Sequence, residues 1–282
     1  MTKRQRRWAY IWELLRTIGR MPKPAEEPID LLIPVCEKDL SILPLALAGA
    51  RRQIQHPIAA IYILAAPSPL VEAFCREHDC RFVDERSVLG YDARSLDVKC
   101  GPEQANRSGW IFQQLLKLSG RVGESRYFLT LDSDHILLHP HTFLTRDGRT
   151  VFYGSREYNK PYYENIERLM GFYPDTRLSY VAHKMLFDRE QLAALREELE
   201  RRHGKPWDRV VVDSLDRQHI SGFSEFELYG NWVPAERKLH LPWRAHSLTQ
   251  DKRADYDTLR RKYRWQFAAI TFPDYRKKRK KK

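Results

Sequence analysis

The sequence predicts an α/β fold built on a mainly parallel sheet, and three observations carry that expectation. Short apolar runs recur through the first half: "IDLLIPV" at 29–35, "IAAIYILAA" at 58–66, "CRFVDE" at 80–85 and "RYFLTLD" at 126–132. Helical stretches, not tight hairpin turns, separate them. Capping residues fall at the joints, so strands and helices alternate as βαβ units do.

Taken in order, Trp8, Ile11, Trp12, Leu15 and Ile18 fall on one face of a helix flanked by basic residues. Trp is favoured at a membrane interface, and packing of this helix on its own domain is the competing reading. "MPKPAEEP" (21–28) reads as a linker. Asp39 is expected to cap a helix over 40–55, and Ser68 with Pro69 to open one that ends near 78. "NRSGWIFQQLLKLSG" (106–120) is expected to be helical. In the second half, "TVFYGS" (150–155) and "KLHLPW" (238–243) read as strands. Asp188 should cap a helix over 189–203, and a last helix is expected over 253–264. "SEFELYGNW" (224–232) opens with a capping box, Ser224 with Glu227 three residues on. No internal repeat is visible.

The net charge of +12 is unevenly placed. Residues 1–23 carry seven basic side chains against Glu13, and residues 276–282 are all basic. The body between them is therefore close to neutral. A nucleic-acid-binding domain normally carries its patch on the folded body, which argues against nucleic acid as a partner. Basic ends suit an anionic membrane surface equally well. No apolar stretch is long enough to span a bilayer, and no signal peptide is evident. The four cysteines form no CxxC pair and read as reduced thiols. The expected location is cytoplasmic, peripheral on the inner face of the membrane.

The run "FLTLDSDHILLHP" carries an apolar strand straight into Asp132 and Asp134. In open α/β sheets, ligands bind beyond the carboxyl ends of the strands. Residues two apart in an extended segment point the same way, and two crowded carboxylates resist ionising unless a cation holds them. A hard divalent ion such as Mg²⁺, held by one or two carboxylates and substrate phosphates, answers that need. An Asp-rich turn with Asp134 as a cap is the structural alternative.

"IDLLIPVCEKD", "LDSDHI" and "FSEFELYGNW" together resemble the GT-A glycosyltransferases, and most of all a bacterial group that also carries a "GWIFQQLLKL"-like helix. The resemblance spans roughly 29–246. It implies a single-domain, Rossmann-like GT-A fold over 29–250. Before it come a basic amphipathic helix (1–23) and a linker (24–28), and after it a C-terminal helix and basic tail (251–282). It implies transfer of a sugar, expected to be a hexose, from a nucleotide-sugar donor to an acceptor hydroxyl on a glycan or glycolipid, with Mn²⁺ or Mg²⁺. Asp134 would bind the metal, and Asp132 the metal or the ribose. Pro34, Lys38 and Asp39 would border the nucleotide. Trp110, Gln113, Gln114 and Lys117 share one helix, with Gln113 and Lys117 four apart and able to reach the donor; Trp110 has core packing as its alternative. Glu225 is the first candidate for general base and Glu227 the second, since the capping box already accounts for Glu227. A helix-terminus charge accounts for either one without catalysis. His246 would be a third metal ligand, ahead of His240, which lies within a strand. His183 reads as a hydrogen-bonded structural residue or as part of the acceptor side.

Two rival readings remain. A haloacid-dehalogenase-like phosphatase would use Asp132 as nucleophile and Asp134 as acid, with Asp213 and Asp216 downstream. A nucleic-acid-binding protein would work through the two basic ends.

Overall fold

Strand order decides where a ligand can sit. The computed structural model describes residues 4–5, 7–8, 10–12, 21–175, 178–251 and 254–273. The first half runs β1 (Ile29–Pro34), α1 (Leu43–Gln53), β2 (Ile58–Ala65), α2 (Pro69–Glu77), β3 (Arg81–Asp84), α3 (Glu85–Leu89), β4 (Lys99–Cys100), β5 (Ala105–Asn106), α4 (Ser108–Ser119) and β6 (Tyr127–Leu131). The second runs β7 (His135–Leu137), β8 (Thr150–Gly154), α5 (Lys160–Met170), β9 (Lys184–Asp188), α6 (Arg189–His203), α7 (Trp207–Asp213), α8 (Glu225–Trp232), β10 (Lys238–Pro242), β11 (Ala245–Ser247), α9 (Tyr256–Tyr263) and β12 (Ala269–Thr271).

The central sheet has the order β3-β2-β1-β6-β9. β3, β2, β1 and β6 are parallel, and β9 is antiparallel to β6. The chain is therefore α/β with a mainly parallel sheet flanked by helices, as its sequence predicts. β1 is buried along its whole length. Leu31 and Ile33 pack with Leu43, Leu47 and Val71 of α1 and α2, while Leu32 between them packs with Leu115, Leu192 and Leu228 of α4, α6 and α8. That alternation is the period of two expected of a strand covered on both faces. Asp30 is its polar exception. It accepts the N–H groups of Glu124 and Ser125, each at 2.9 Å, and so ties down the loop that leads into β6.

From β1 the chain steps outward to β2 and β3, then crosses back to β6 on the other side of β1. The reversal leaves a crevice beyond the carboxyl ends of β1 and β6, where open α/β sheets bind ligands. Residues 34–39 and 132–134 meet there. Two smaller sheets, β10-β8 and β11-β12-β7, lie beside it.

Several local expectations need correction. Asp39 caps no helix: it ends a 3-10 turn, and α1 starts at Leu43 after Ile42, with Pro44 in its first turn. The segment read as a linker is docked, with the N–H of Ala25 donating to Leu144 O at 2.9 Å. The boundary drawn at 250 falls inside a shared core, where Tyr256, Leu259 and Ile270 pack against Ile136 and Leu138. At the N-terminus, Tyr10 is buried and donates its hydroxyl to Trp243 O at 2.8 Å, while Trp8 and Trp12 stay 61% and 64% exposed. Leu15, Ile18 and the basic tail 276–282 lie outside the described residues. The four cysteines are all free.

Candidate active site

A cleft of about 390 Å³ opens at the β1/β6 crevice. Pro34, Lys38 and Asp39 enter it after β1, Asp132, Ser133 and Asp134 after β6, Trp110 to Lys117 from α4, and Ser224 to Phe226 from the start of α8.

Its centre is a buried ammonium. Lys117 donates to Asp132 Oδ1 at 3.0 Å and to Glu225 Oε1 at 2.9 Å, above the ring of Phe226. Burial alone would depress its pKa, but the two carboxylates outweigh burial and hold the amine firmly protonated. α4 supports the partner as well, because Gln114 Oε1 accepts the N–H of Glu225 at 3.1 Å. Gln113 and Trp110 border the same cleft, with the guanidinium of Arg107 4.1 Å above the Trp110 ring.

The two aspartates are not equivalent. Asp132 holds Lys117 on one oxygen and His183 Nδ1 on the other, at 2.9 Å. Burial works against its ionisation, yet those two groups push its pKa below the ordinary carboxylate range. Burial lowers the His183 pKa, but Asp132 more than reverses that and raises it. Asp134 has weaker support, with His183 nearby but not bonded to it. Burial, Asp132 and Asp39 push its pKa up to about 6, and among the described residues no cation pairs with it. The turn is nevertheless fixed: the N–H of Asp132 donates to His183 O at 3.0 Å, and the N–H of Phe272 donates to Asp134 O at 3.2 Å.

That imbalance suits a divalent cation. Asp134 is a carboxylate short of positive charge, and substrate phosphates could complete the shell of a hard ion. Among the described residues, no group of three His, Cys, Asp or Glu is arranged to hold a metal alone. His246 lines the adjoining cavity, not this cleft, and stacks on Phe267 at 4.6 Å between centroids. His240 is half-buried and stacked on Tyr180, and desolvation of its ring pulls its pKa down to about 3.

The two glutamates divide. Glu225 faces the cleft that holds Asp134. Glu227 was expected to close the capping box on the backbone of Ser224, and it does not. Ser224 Oγ accepts the N–H of Glu227 at 3.3 Å, but the Glu227 carboxylate turns inward. Its Oε1 accepts from the hydroxyls of Tyr163 and Ser179 and from the N–H of Tyr180. Burial there pushes its pKa up to about 7.

Sequence reasoning left Lys184 out of the site and read His183 as a structural or acceptor-side residue, not as a partner of Asp132. His183 has φ +59, a conformation rare for a side chain with a Cβ, and no sequence signal announces it. Lys184, in the apolar run "VAHKMLF", could have been noticed as a charge inside a strand. It is 1% exposed with its Nζ 3.2 Å from His135 Nε2, and burial lowers its pKa to about 7.

A family model described as a family of unknown function, DUF6492, matches residues 58–272. The chain belongs to this family. No curated protein matches it. Solved structures similar to this DUF6492 member include mouse xyloside xylosyltransferase 1, at 16% identity and a TM-score of 0.47, covering 88% of this chain and 98% of that one. Another is the galactosyltransferase LgtC with donor and acceptor sugar analogs, at 13% and 0.40, covering 86% and 87%. A third is glucosyl-3-phosphoglycerate synthase from Mycobacterium tuberculosis with Mn²⁺, UDP and glucosyl-3-phosphoglycerate, at 14% and 0.38, covering 83% and 73%. Their names are those of glycosyltransferases.

Proposed function

We propose that this chain is a metal-dependent glycosyltransferase of the GT-A kind that moves a sugar, a hexose in our reading, from a nucleotide-sugar donor to an acceptor hydroxyl. The supporting observation is the Asp132–Asp134 turn at the β1/β6 crevice, where Asp132 is neutralised by Lys117 and His183 while Asp134 makes no ion pair among the described residues. Mn²⁺ or Mg²⁺ bound at Asp134 would offset the charge that builds on the departing nucleoside diphosphate. Pro34, Lys38 and Asp39 border the nucleotide in this reading, and Gln113 with Trp110 the rest of the donor. The acceptor oxygen bonds to the anomeric carbon as the bond from that carbon to the phosphate oxygen breaks, with its electron pair leaving on the diphosphate. In an inverting transfer, Glu225 takes the hydroxyl proton.

The phosphatase alternative has less support. Asp213 pairs with Lys205 at the surface, Asp216 lies 3.7 Å from His219, and neither lines the cleft. We also propose a cytoplasmic protein held at an anionic membrane by its basic ends and by Trp8 and Trp12. Thermal-shift titration with UDP-, GDP-, CMP- and dTDP-sugars, with and without Mn²⁺, tests the main reading. One donor should raise the melting temperature only when Mn²⁺ is present. No response to any donor would overturn it.

A further inference from the structure

Beside the acidic cleft lies a larger cavity of about 640 Å³ with the opposite charge. Arg7, Arg156, Lys184 and Arg244 line it, against Glu157 as the one acidic wall residue among those described. None of the three arginines has an ion pair among the described residues. Arg156 lies 5.5 Å over the Tyr10 ring and Arg244 5.6 Å over that of Phe267. Lys184, another lining residue, bonds to a histidine nitrogen and a backbone carbonyl and makes no ion pair among the described residues, with Asp132 the carboxylate that acts on it from a distance. Trp243, another wall residue, has a buried indole N–H with no acceptor among the described residues. A concave wall that gathers unpaired cations around a desolvated amine is short of negative charge, and an anionic ligand supplies it.

The two cavities adjoin. Val181, His183, Ser247 and Thr271 line both, and the His183 ring that faces the second is the one bound to Asp132 in the first. The acidic side suits a cation and the basic side an anion, so the same ligand group is not suited to both. We propose that the basic cavity holds the acceptor, and that the acceptor carries a phosphate monoester or diester that Arg156, Arg244 and Lys184 recognise; the role as acceptor site rests on the glycosyltransferase reading above. Such a phosphate could belong to a soluble phosphorylated sugar or polyol, or to a lipid headgroup. Arg7 and Ile11 of the N-terminal segment form part of the wall, so a lipid-borne phosphate would arrive next to the exposed Trp8 and Trp12.

The test uses the full chain and three probes. Calorimetric titration measures glycerol 3-phosphate and the nucleoside diphosphate with Mn²⁺. Flotation measures phosphatidylcholine vesicles with and without phosphatidic acid. The variants are R156Q/R244Q, which changes two exposed side chains outside the acidic cleft, and K184M. Wild type should bind glycerol 3-phosphate or the phosphatidic-acid vesicles, and R156Q/R244Q should weaken that binding at least tenfold while changing Mn²⁺-dependent nucleotide affinity less than twofold. Binding of glycerol 3-phosphate would mark a soluble acceptor; vesicle binding without it would mark a lipid one only if R156Q/R244Q weakens that binding, since the basic ends alone attract anionic vesicles. K184M should weaken the same probe. The proposal is overturned if neither phosphate probe binds, if R156Q/R244Q binds as wild type does, or if the nucleoside diphosphate displaces the phosphate probe. Should the phosphate probe bind as expected while no nucleoside diphosphate binds at all, the anion site stands and the glycosyltransferase reading falls.

Discussion

At the scale of single residues, the site is organised by Lys117, one ammonium shared between Asp132 and Glu225. Removing one partner of a buried ion pair costs more than the pair contributes, because the remaining charges stay buried. Lys117→Met should therefore lower stability by about 3–5 kcal/mol, read from urea unfolding. A loss under about 1 kcal/mol would mean that the two carboxylates do not depend on it. Glu225→Gln should cut turnover roughly 100-fold while leaving donor affinity unchanged, as loss of a general base does. An unchanged rate would remove Glu225 from the chemistry. Glu227 carries a prediction of a different kind. Its folded pKa of about 7 lies above the 4.5 of an unperturbed glutamate, so the folded state keeps a proton that the unfolded state has released. Its stabilising contribution is complete below pH 4.5 and is lost as pH rises toward 7, by about 3 kcal/mol for a shift of that size. Glu227→Gln should flatten this fall in an unfolding series between pH 4.5 and 8; a slope identical to that of wild type would show that the carboxylate is ionised in the fold.

At the scale of elements, the close contact between α1 and β7 depends on Gly49. A Cβ there would lie 2.9 Å from the backbone N and O of Leu137, atoms that cannot rotate away. Gly49→Ala should cost about 1–3 kcal/mol by overpacking, measured against wild type in urea. Much at this scale was legible in the sequence. The apolar runs of β1, β6 and the second part of β2 are buried on both faces, which makes them near-continuous and easy to read. The helices opened by Ser68, Asp188 and Ser224 begin with side-chain caps that local sequence specifies. Other features were set by long-range contacts. Glu227 satisfies the spacing of a capping box, yet Tyr163 and Ser179 from distant segments draw its carboxylate inward. His183 reaches Asp132 because β9 pairs antiparallel with β6 and His183 itself, just before β9, adopts a left-handed conformation. Neither the pairing nor that turn is written in the "VAHKMLF" run. Pro34, Asp39, Trp110, Lys117, Asp132, Asp134 and Glu225, picked from separate motifs, line one cleft because the strand order brings β1 and β6 together.

At the scale of the whole molecule, charge is segregated: basic ends, an acidic cleft and a basic cavity beside it. No helix among the described residues is long and apolar enough to cross a membrane. Membrane contact would then depend on the ends, with basic residues contributing about 1 kcal/mol each near an anionic surface. Vesicles containing anionic lipid should bind the full chain, lose it at high ionic strength, and bind a Trp8→Ala/Trp12→Ala variant more weakly. Equal binding to neutral vesicles would contradict this. The central claim is the cation-dependent diphosphate site, and Asp134 tests it most directly. Calorimetric titration of the nucleoside diphosphate, with and without Mn²⁺, should show metal-dependent binding to wild type and none to Asp134→Asn, at a melting temperature no lower than that of wild type. Asp134→Asn binding the nucleotide with undiminished Mn²⁺ dependence would contradict the account.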